Sequence, residues 1–328
     1  MASTRQLKTK IGAVKNIKQI TKAMQMVAAT KMRRSQEVAL NARSYAKKSF
    51  ALLLHLLKHA EKDEFTSIFM RAPRSFSEVG QDRVALVVIT SDKGLAGSFN
   101  SSVLRAAHKW KQEQEDVRDV RGRTSTVEIV AVGKKGRDFF KVRGGNVVAE
   151  FLQFSDVVTF SDVKPLADWV VQAYETHGYD KIVVCSNQFI SALVQKVEVR
   201  QLLPLEPDAL KETIDGIIPK TGKYSELAKE EQGPPAGGER ELSYVLEPSR
   251  EEILKNLVRG LIQVEIAYFV FESNASEHSS RMVAMKNATE NADRLQEELQ
   301  LVLNKARQAA ITQELTEIAT AKEALTAK

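Results

Sequence analysis

The turn SDKGLAGSFN (91–100) stands between an apolar run and a segment of helical pattern, the place where α/β proteins hold phosphates. Binding a phosphate there needs several backbone amides aimed at one anion, which GxGxxG or GxxxxGK[ST] spacing supplies. Neither spacing is present, so Gly94 and Gly97 read as the bend of a tight strand-to-helix turn. His55 and His59 stand four apart on a helical pattern and would share one face, as two metal ligands must. HLLKH carries no glutamate after its first histidine and suggests no third ligand, so the pair reads as two histidines on a partly exposed face. Cys185 would be a nucleophile only in an accessible, electropositive setting, whereas Val183 and Val184 in KIVVCSN place it in a buried strand. Carboxylate pairs and Ser, His and Asp constellations cannot be assembled without arbitrary choice, and no catalytic residue, cofactor site or metal site is assigned.

The elements that would position such residues fall into three kinds. From Ala13 to Ala72 there is neither glycine nor proline, and Ala, Lys, Gln, Met and Leu predominate, which predicts one long helix or two in sequence. The same absence runs from Leu261 to Lys328, and Pro248, Ser249 and Glu252 mark the start of that helix in capping-box spacing. A helix of ~70 residues would extend ~100 Å and needs a partner along its length. Met285, Ala288, Ala292, Leu295, Leu299, Val302, Ala306 and Ala309 follow in alternating steps of three and four and predict a coiled-coil seam. On the first helix Ile11, Val14, Ile17, Ile20, Met24 and Val27 recur at closer spacing, so their stripe drifts and predicts contact on more than one side. Two such helices at opposite ends of a chain pair most simply antiparallel.

Between them RVALVVITSD, VEIVAVG and KIVVCSN read as strands buried on both faces, with QKVEVRQLLP (195–204) a further strand suited to an edge. FNSSVLRAAHKWKQEQ and SDVKPLADWVVQAYETHG read as helices, and the alternation predicts a mostly parallel, Rossmann-like three-layer α/β domain. The fold class is therefore α/β with a long antiparallel coiled coil. Its parts are an N-terminal helix (1–72), a central domain (82–204), a surface excursion around QGPPAGG (205–247) and a C-terminal helix (248–328).

Composition narrows the function. The apolar stretches are too short for a membrane span, and one cysteine cannot form an intramolecular disulfide. Residues 1–50 hold twelve Lys and Arg against the single acid Glu37, a local +11, while the whole chain carries +6. A basic helix of this kind suits a nucleic-acid arm or a shaft in an acidic socket, and charge alone does not separate them. A basic coiled-coil nucleic-acid binder is thus one expectation, and a nucleotide-binding enzyme, disfavoured by the missing glycines, another.

IGAVKNIKQITKAMQMVAATKMRRSQ (11–36) resembles the opening helix of F-type ATP synthase gamma subunits. ASEHSSRMVAMKNATENADRLQEELQLVLNKARQAAITQELTEI (275–318) is similar to that family's closing helix, ITSDKGLAGSFNSSV (89–103) to its first strand and turn, and QLLPL (201–205) also matches. The resemblance implies a non-catalytic central-stalk rotor, coupling proton-driven rotation to ATP synthesis in a ring of alpha and beta subunits. It implies the epsilon subunit and the c-ring of Fo as further partners, no nucleic acid, and a peripheral place on the cytoplasmic face of the cell membrane. Carried over residue by residue, it puts Lys22, Met24, Arg307, Gln308 and Thr312 against catalytic-subunit loops. Ile311, Leu315 and Ile318 become an apolar bearing tip, and Leu202, Leu203 and Leu205 contacts at the foot. A first helix beginning within a few residues of Met1 leaves no transit peptide to cleave. The regulatory cysteine pair that chloroplast relatives carry before the closing helix has no counterpart in 206–246.

Overall fold

The structure, a computed structural model, describes residues 4–58, 81–116, 124–176, 178–205 and 250–326. The surface excursion beyond Leu205, the capping residues Pro248 and Ser249, the stretch 59–72 and His59 of the histidine pair lie outside the described residues. The elements are α1 (Thr4–Lys58), β1 (Gln81–Ile89), α2 (Phe99–Asp116), β2 (Thr124–Val132) and α3 (Lys134–Val142). They continue with β3 (Val147–Phe151), α4 (Phe160–Glu175), β4 (Lys181–Phe189), β5 (Gln195–Leu203) and α5 (Arg250–Thr326). The chain divides into two compact units, residues 1–29 with 281–328, and residues 30–280.

In the larger unit five strands form one sheet in the order β3-β2-β1-β4-β5, parallel except for β5, which pairs antiparallel with β4 at the edge. Side chains alternate between the faces of a strand, so β1 sends Val84, Leu86 and Val88 one way and Ala85, Val87 and Ile89 the other. Both sets are buried, because α2 and α3 cover the first face while α4 and the 258–271 stretch of α5 cover the second. That is why these strands read as continuous apolar runs. The expected three layers are present, with two elements the sequence reading passed over. β3 is a short edge strand whose residues alternate between half-buried and exposed, and α3 carries Gly136 in its interior. β3 is too short, and α3 too polar, to stand out as buried elements. At the start of α4 the Asp162 carboxylate accepts from the Thr159 amide (2.8 Å), the Thr159 hydroxyl (2.9 Å) and the Ser155 hydroxyl (2.7 Å), which lowers its pKa.

In the smaller unit α1 and α5 pair antiparallel: Thr21 meets Thr289 at 2.8 Å between hydroxyls, and Lys18 meets Asp293 one turn along. On α1 the inward positions are Leu7, Ile11, Val14, Lys18, Thr21, Gln25 and Ala28, each buried or half-buried, in steps of four and three. On α5 they are Met285, Thr289, Ala292, Gln296, Leu299, Leu303 and Ala306, with Ala288 beside them. This corrects the expected seam, since Leu295, Val302 and Ala309 are exposed and Gln296 and Leu303 lie inside. Both phasings of the repeat share Met285, Ala292, Leu299 and Ala306, and the Thr21–Thr289 and Lys18–Asp293 pairs select the observed one. The drifting stripe of α1 leaves the seam as its spacing predicts: Ile11 and Val14 face inward, Met24 is half-buried, and Ile17, Ile20 and Val27 are exposed.

One core group is held against its chemistry. Glu265 of α5 is half-buried as a residue, yet its Oε2 is closed off from solvent with no hydrogen-bond partner. Burial pushes its pKa up to about 8, opposed only in part by the charge of Arg200. The folded chain therefore keeps this carboxyl protonated where the unfolded chain would ionise it. Stability from this group falls as pH rises from the ordinary carboxylate range towards 8 and is level above it. Glu265→Gln is expected to raise the thermal midpoint. Its advantage over the wild type should be small near pH 5, grow by at most about 1.4 kcal/mol per pH unit, and stop growing beyond about pH 8. Melting curves of both proteins across that range check it, and a constant gap would contradict the assignment.

Candidate functional site

A ligand of an open parallel sheet sits beyond the carboxyl ends of the strands, where helix N-termini present free amides. Here the amides at the start of α3 are already engaged by the chain itself. The Lys134 amide donates to Asp92 Oδ1 at 2.9 Å, the Lys135 amide to the Ser91 carbonyl at 3.2 Å and the Gly136 amide to Thr90 Oγ1 at 2.8 Å. Asp92 Oδ2 accepts from the Gln153 amide at 2.8 Å, so one carboxylate ties α3 to the loop after β3. In the β1–α2 turn the Ser91 amide donates to Asn100 Oδ1 at 3.0 Å, and the Ser91 hydroxyl to the Lys93 carbonyl at 2.6 Å. The turn is tight, with Gly97 and Leu95 both at positive φ. An anion placed here would compete with Asp92, and the SDKGLAG turn works as the strand-to-helix connection its glycine spacing suggests. Asp92 and Thr90 escaped the sequence reading because their partners lie some forty residues away in α3.

The neighbouring cleft is lined by Ser91, Lys93, Ser155, Asp156, Glu277 and His278 among others. Asp156 receives Lys31 at 2.7 Å and Lys93 at 3.1 Å, and the two ammonium groups hold its carboxyl down at about 2. Its backbone carbonyl accepts from Nε2 of His278 at 2.5 Å. Cys185 is fully buried beneath α2, its Sγ 3.7 Å from the Val103 carbonyl, and burial pushes its thiol up to about 12, the condition of an inert core cysteine.

The residues singled out from the resemblance divide between the two units. Arg307, Gln308, Ile311, Thr312, Leu315 and Ile318 follow one another along α5, past the last inward-facing residue Ala306, where every described side chain through Lys322 is exposed. Ile311, Leu315 and Ile318 are 49%, 62% and 66% exposed and, in steps of four and three, form one apolar stripe. The Thr312 hydroxyl is turned back onto the Gln308 carbonyl at 2.9 Å. Lys22 of α1 is exposed, its Nζ 3.4 Å from Gln25 Oε1. Leu202, Leu203 and Leu205, expected at a contact surface, are 1%, 0% and 4% exposed in the core of the larger unit. Apolar packing at the end of β5 claims their side chains.

The amides at the start of α3 are engaged internally, and the far end of α5 leaves apolar side chains in solvent, which suits binding through a surface. A family model described as ATP synthase matches residues 3–325. The ATP synthase gamma chain of Roseiflexus castenholzii is 37% identical over 325 residues, with 99% of each chain covered. The central stalk and c-ring structure of the Tetrahymena thermophila mitochondrial ATP synthase shares the fold with a TM-score of 0.52 at 25% identity, covering 82% of this chain and 99% of that one. A structure of the Euglena gracilis mitochondrial enzyme gives 0.59 at 20% identity, covering 99% and 95%. The chain belongs to the ATP synthase family, among its gamma chains, and the nucleic-acid alternative finds no support in these likenesses. Among the described residues no helix is long and apolar enough to cross a membrane.

The packing beneath the cleft sets a stability test. Gly133 has φ +88°, and a Cβ there would lie 2.3 Å from the Thr90 carbonyl oxygen. Gly133→Ala should cost roughly 3 kcal/mol or more by combining backbone strain with overpacking. Gly94→Ala, where nothing lies within 4 Å, should change stability little. Urea midpoints of the two variants check this, and equal midpoints would refute it.

Proposed function

We propose that this chain is the central-stalk rotor subunit of an F1Fo ATP synthase, carrying no active site and coupling ion-driven rotation to nucleotide chemistry in other subunits. The observation that supports it best is the bare end of α5, with an apolar stripe that the described residues do not cover. In the proposed assembly residues 1–72 and 248–328 form the shaft inside a ring of alpha and beta subunits. Residues 82–204 form the domain that meets the epsilon subunit and the c-ring. The complex sits peripherally on the cytoplasmic face of the cell membrane, with protons as the driving ion.

The physics of the role is symmetry breaking. Chemically identical catalytic sites differ only if something contacts them unequally, and a single asymmetric shaft does so at every rotary position. Contacts of equal strength on all sites would shift nothing, however tight they were. Lys22, Met24, Arg307, Gln308 and Thr312 are the proposed contacts with catalytic-subunit loops, Arg307 pairing with a carboxylate. Ile311, Leu315 and Ile318 are the proposed bearing, where nondirectional apolar contact turns with little hindrance. Leu202, Leu203 and Leu205 support the foot from inside.

Co-expression of the tagged chain with alpha and beta subunits should yield a complex of one copy per three of each, with ATPase activity that the chain alone lacks. Failure to assemble, with nucleic acid co-purifying in a salt-sensitive manner, would overturn the proposal. Within the complex Arg307→Ala should reduce ion-driven ATP synthesis roughly tenfold, the effect of losing one charge-assisted hydrogen bond, while the unfolding midpoint of the isolated chain is unchanged. Wild-type synthesis rates in membrane vesicles would sink the assignment of Arg307.

A further inference from the structure

A shaft transmits torque only if it cannot turn inside the body that drives it. In the larger unit the 258–271 stretch of α5 is packed by Val258, Ile262, Ile266 and Phe269 into the apolar core. Apolar contact is nondirectional and resists translation better than rotation of a helix about its own axis. The next turns differ in kind: within 273–280 (SNASEHSS), Ser273, Asn274, Ser276, His278 and Ser279 are all buried although polar. Burying polar groups is unfavourable unless they find partners, and Asn274, His278 and Ser279 do, as does the half-buried Ser280.

The Ser35 hydroxyl of α1 donates to Asn274 Oδ1 at 2.6 Å. His278 Nε2 donates to the Asp156 carbonyl at 2.5 Å, and Lys31 of α1 holds the Asp156 carboxylate at 2.7 Å. The Ser279 hydroxyl donates to the Ala192 carbonyl at 2.6 Å, and the Ser280 hydroxyl to Gln195 Oε1 at 3.0 Å, both in the β4–β5 hairpin. At about 100° per residue, positions 274, 278, 279 and 280 point to about 0°, 40°, 140° and 240° around the helix. The bonds thus reach α1, the loop after β3 and the β4–β5 hairpin from widely separated sides of α5.

We infer that Asn274, His278, Ser279 and Ser280 form a hydrogen-bonded collar that fixes the rotational setting of α5 in the α/β domain, making them positioning residues for torque transfer. The inference rests on the rotor reading above. Turning α5 by about 20° would carry an atom ~6 Å from its axis through ~2 Å, beyond the reach of a hydrogen bond. Because the bonds lie on several sides, a roll in either direction breaks some of them at once. Buried serines suit the position, since a short side chain lets the surrounding backbone carbonyls come close.

Ser276 supplies the control, being fully buried in the same turn with a hydroxyl that has no hydrogen-bond partner. The experiment compares Ser279→Ala/Ser280→Ala with Ser276→Ala in the complete membrane-bound complex, reading proton pumping per ATP hydrolysed. The double variant should assemble and hydrolyse ATP while the pumping ratio falls about threefold or more, the loss of two buried hydrogen bonds. Ser276→Ala, which removes one buried hydroxyl and no bond, should pump as the wild type does. Equal ratios in the two variants, whether both normal or both lowered, would overturn the collar. If the double variant does not assemble, Ser35→Ala, which frees only the α1 side, takes its place, and an unchanged ratio there overturns the inference. Failure of the wild-type chain to join the ring would instead remove the rotor reading itself.

Discussion

In a folded protein most of a helix's stability comes from packing its apolar face, and α5 (Arg250–Thr326) finds that packing differently along its length. Between Val258 and Phe271 its partner is the α/β sheet and α4. Between Asn274 and Ser280 it is a set of polar groups from three elements, and between Met285 and Ala306 it is α1. Beyond Ala306 the described chain offers nothing, although Ile311, Leu315 and Ile318 continue an apolar stripe. The local sequence follows these partners: all-round apolar against the sheet, small and polar in the middle, heptad-like against one helix.

How much of this is legible in the sequence depends on how local each cause is. β1, β2 and β4 are legible because burial on both faces demands a continuous apolar run, and the sequence supplies one within each strand, VALVVI, IVAV and IVVC. The existence of the α5 seam is legible for the same reason, but its phase is not. Leu295 and Val302 are as apolar as Leu303, and only Thr21 and Lys18, more than 260 residues away, decide which side faces inward. β3 and α3 were missed because an edge strand and a short glycine-containing helix are held by neighbours rather than by their own composition. The resemblance to gamma subunits led to the family, yet it put Leu202, Leu203 and Leu205 at a surface when packing draws them inside.

The α/β domain also shows why a fold is weak evidence for an activity. Its parallel strands and strand-to-helix turns are arranged as in dinucleotide-binding proteins, and the difference lies in a few side chains. Asp92 and Thr90 occupy the amides of α3 that would otherwise face an anion. The carboxylate of Asp92 adds negative charge at a helix N-terminus, where it is stabilised by the same dipole that would have drawn a phosphate. The end of β1 and the start of α3 are thereby tied together as one rigid piece.

That rigidity bears on the proposed rotor. A shaft that biases catalytic sites must present different faces to them, so its outer surface cannot be uniform, and the exposed residues of the smaller unit are mixed in kind. Ile17, Ile20 and Val27 are apolar while Lys15 and Lys22 are charged, and on α5 Leu295 and Val302 alternate with Arg294 and Glu298. In isolation such a surface is unfavourable, since apolar groups remain in water with no internal gain. On the rotor reading, the ring of other subunits is what contacts it. The contact must be weak enough to break at each step of rotation, which argues for scattered apolar and single charged groups over one large, tightly complementary patch.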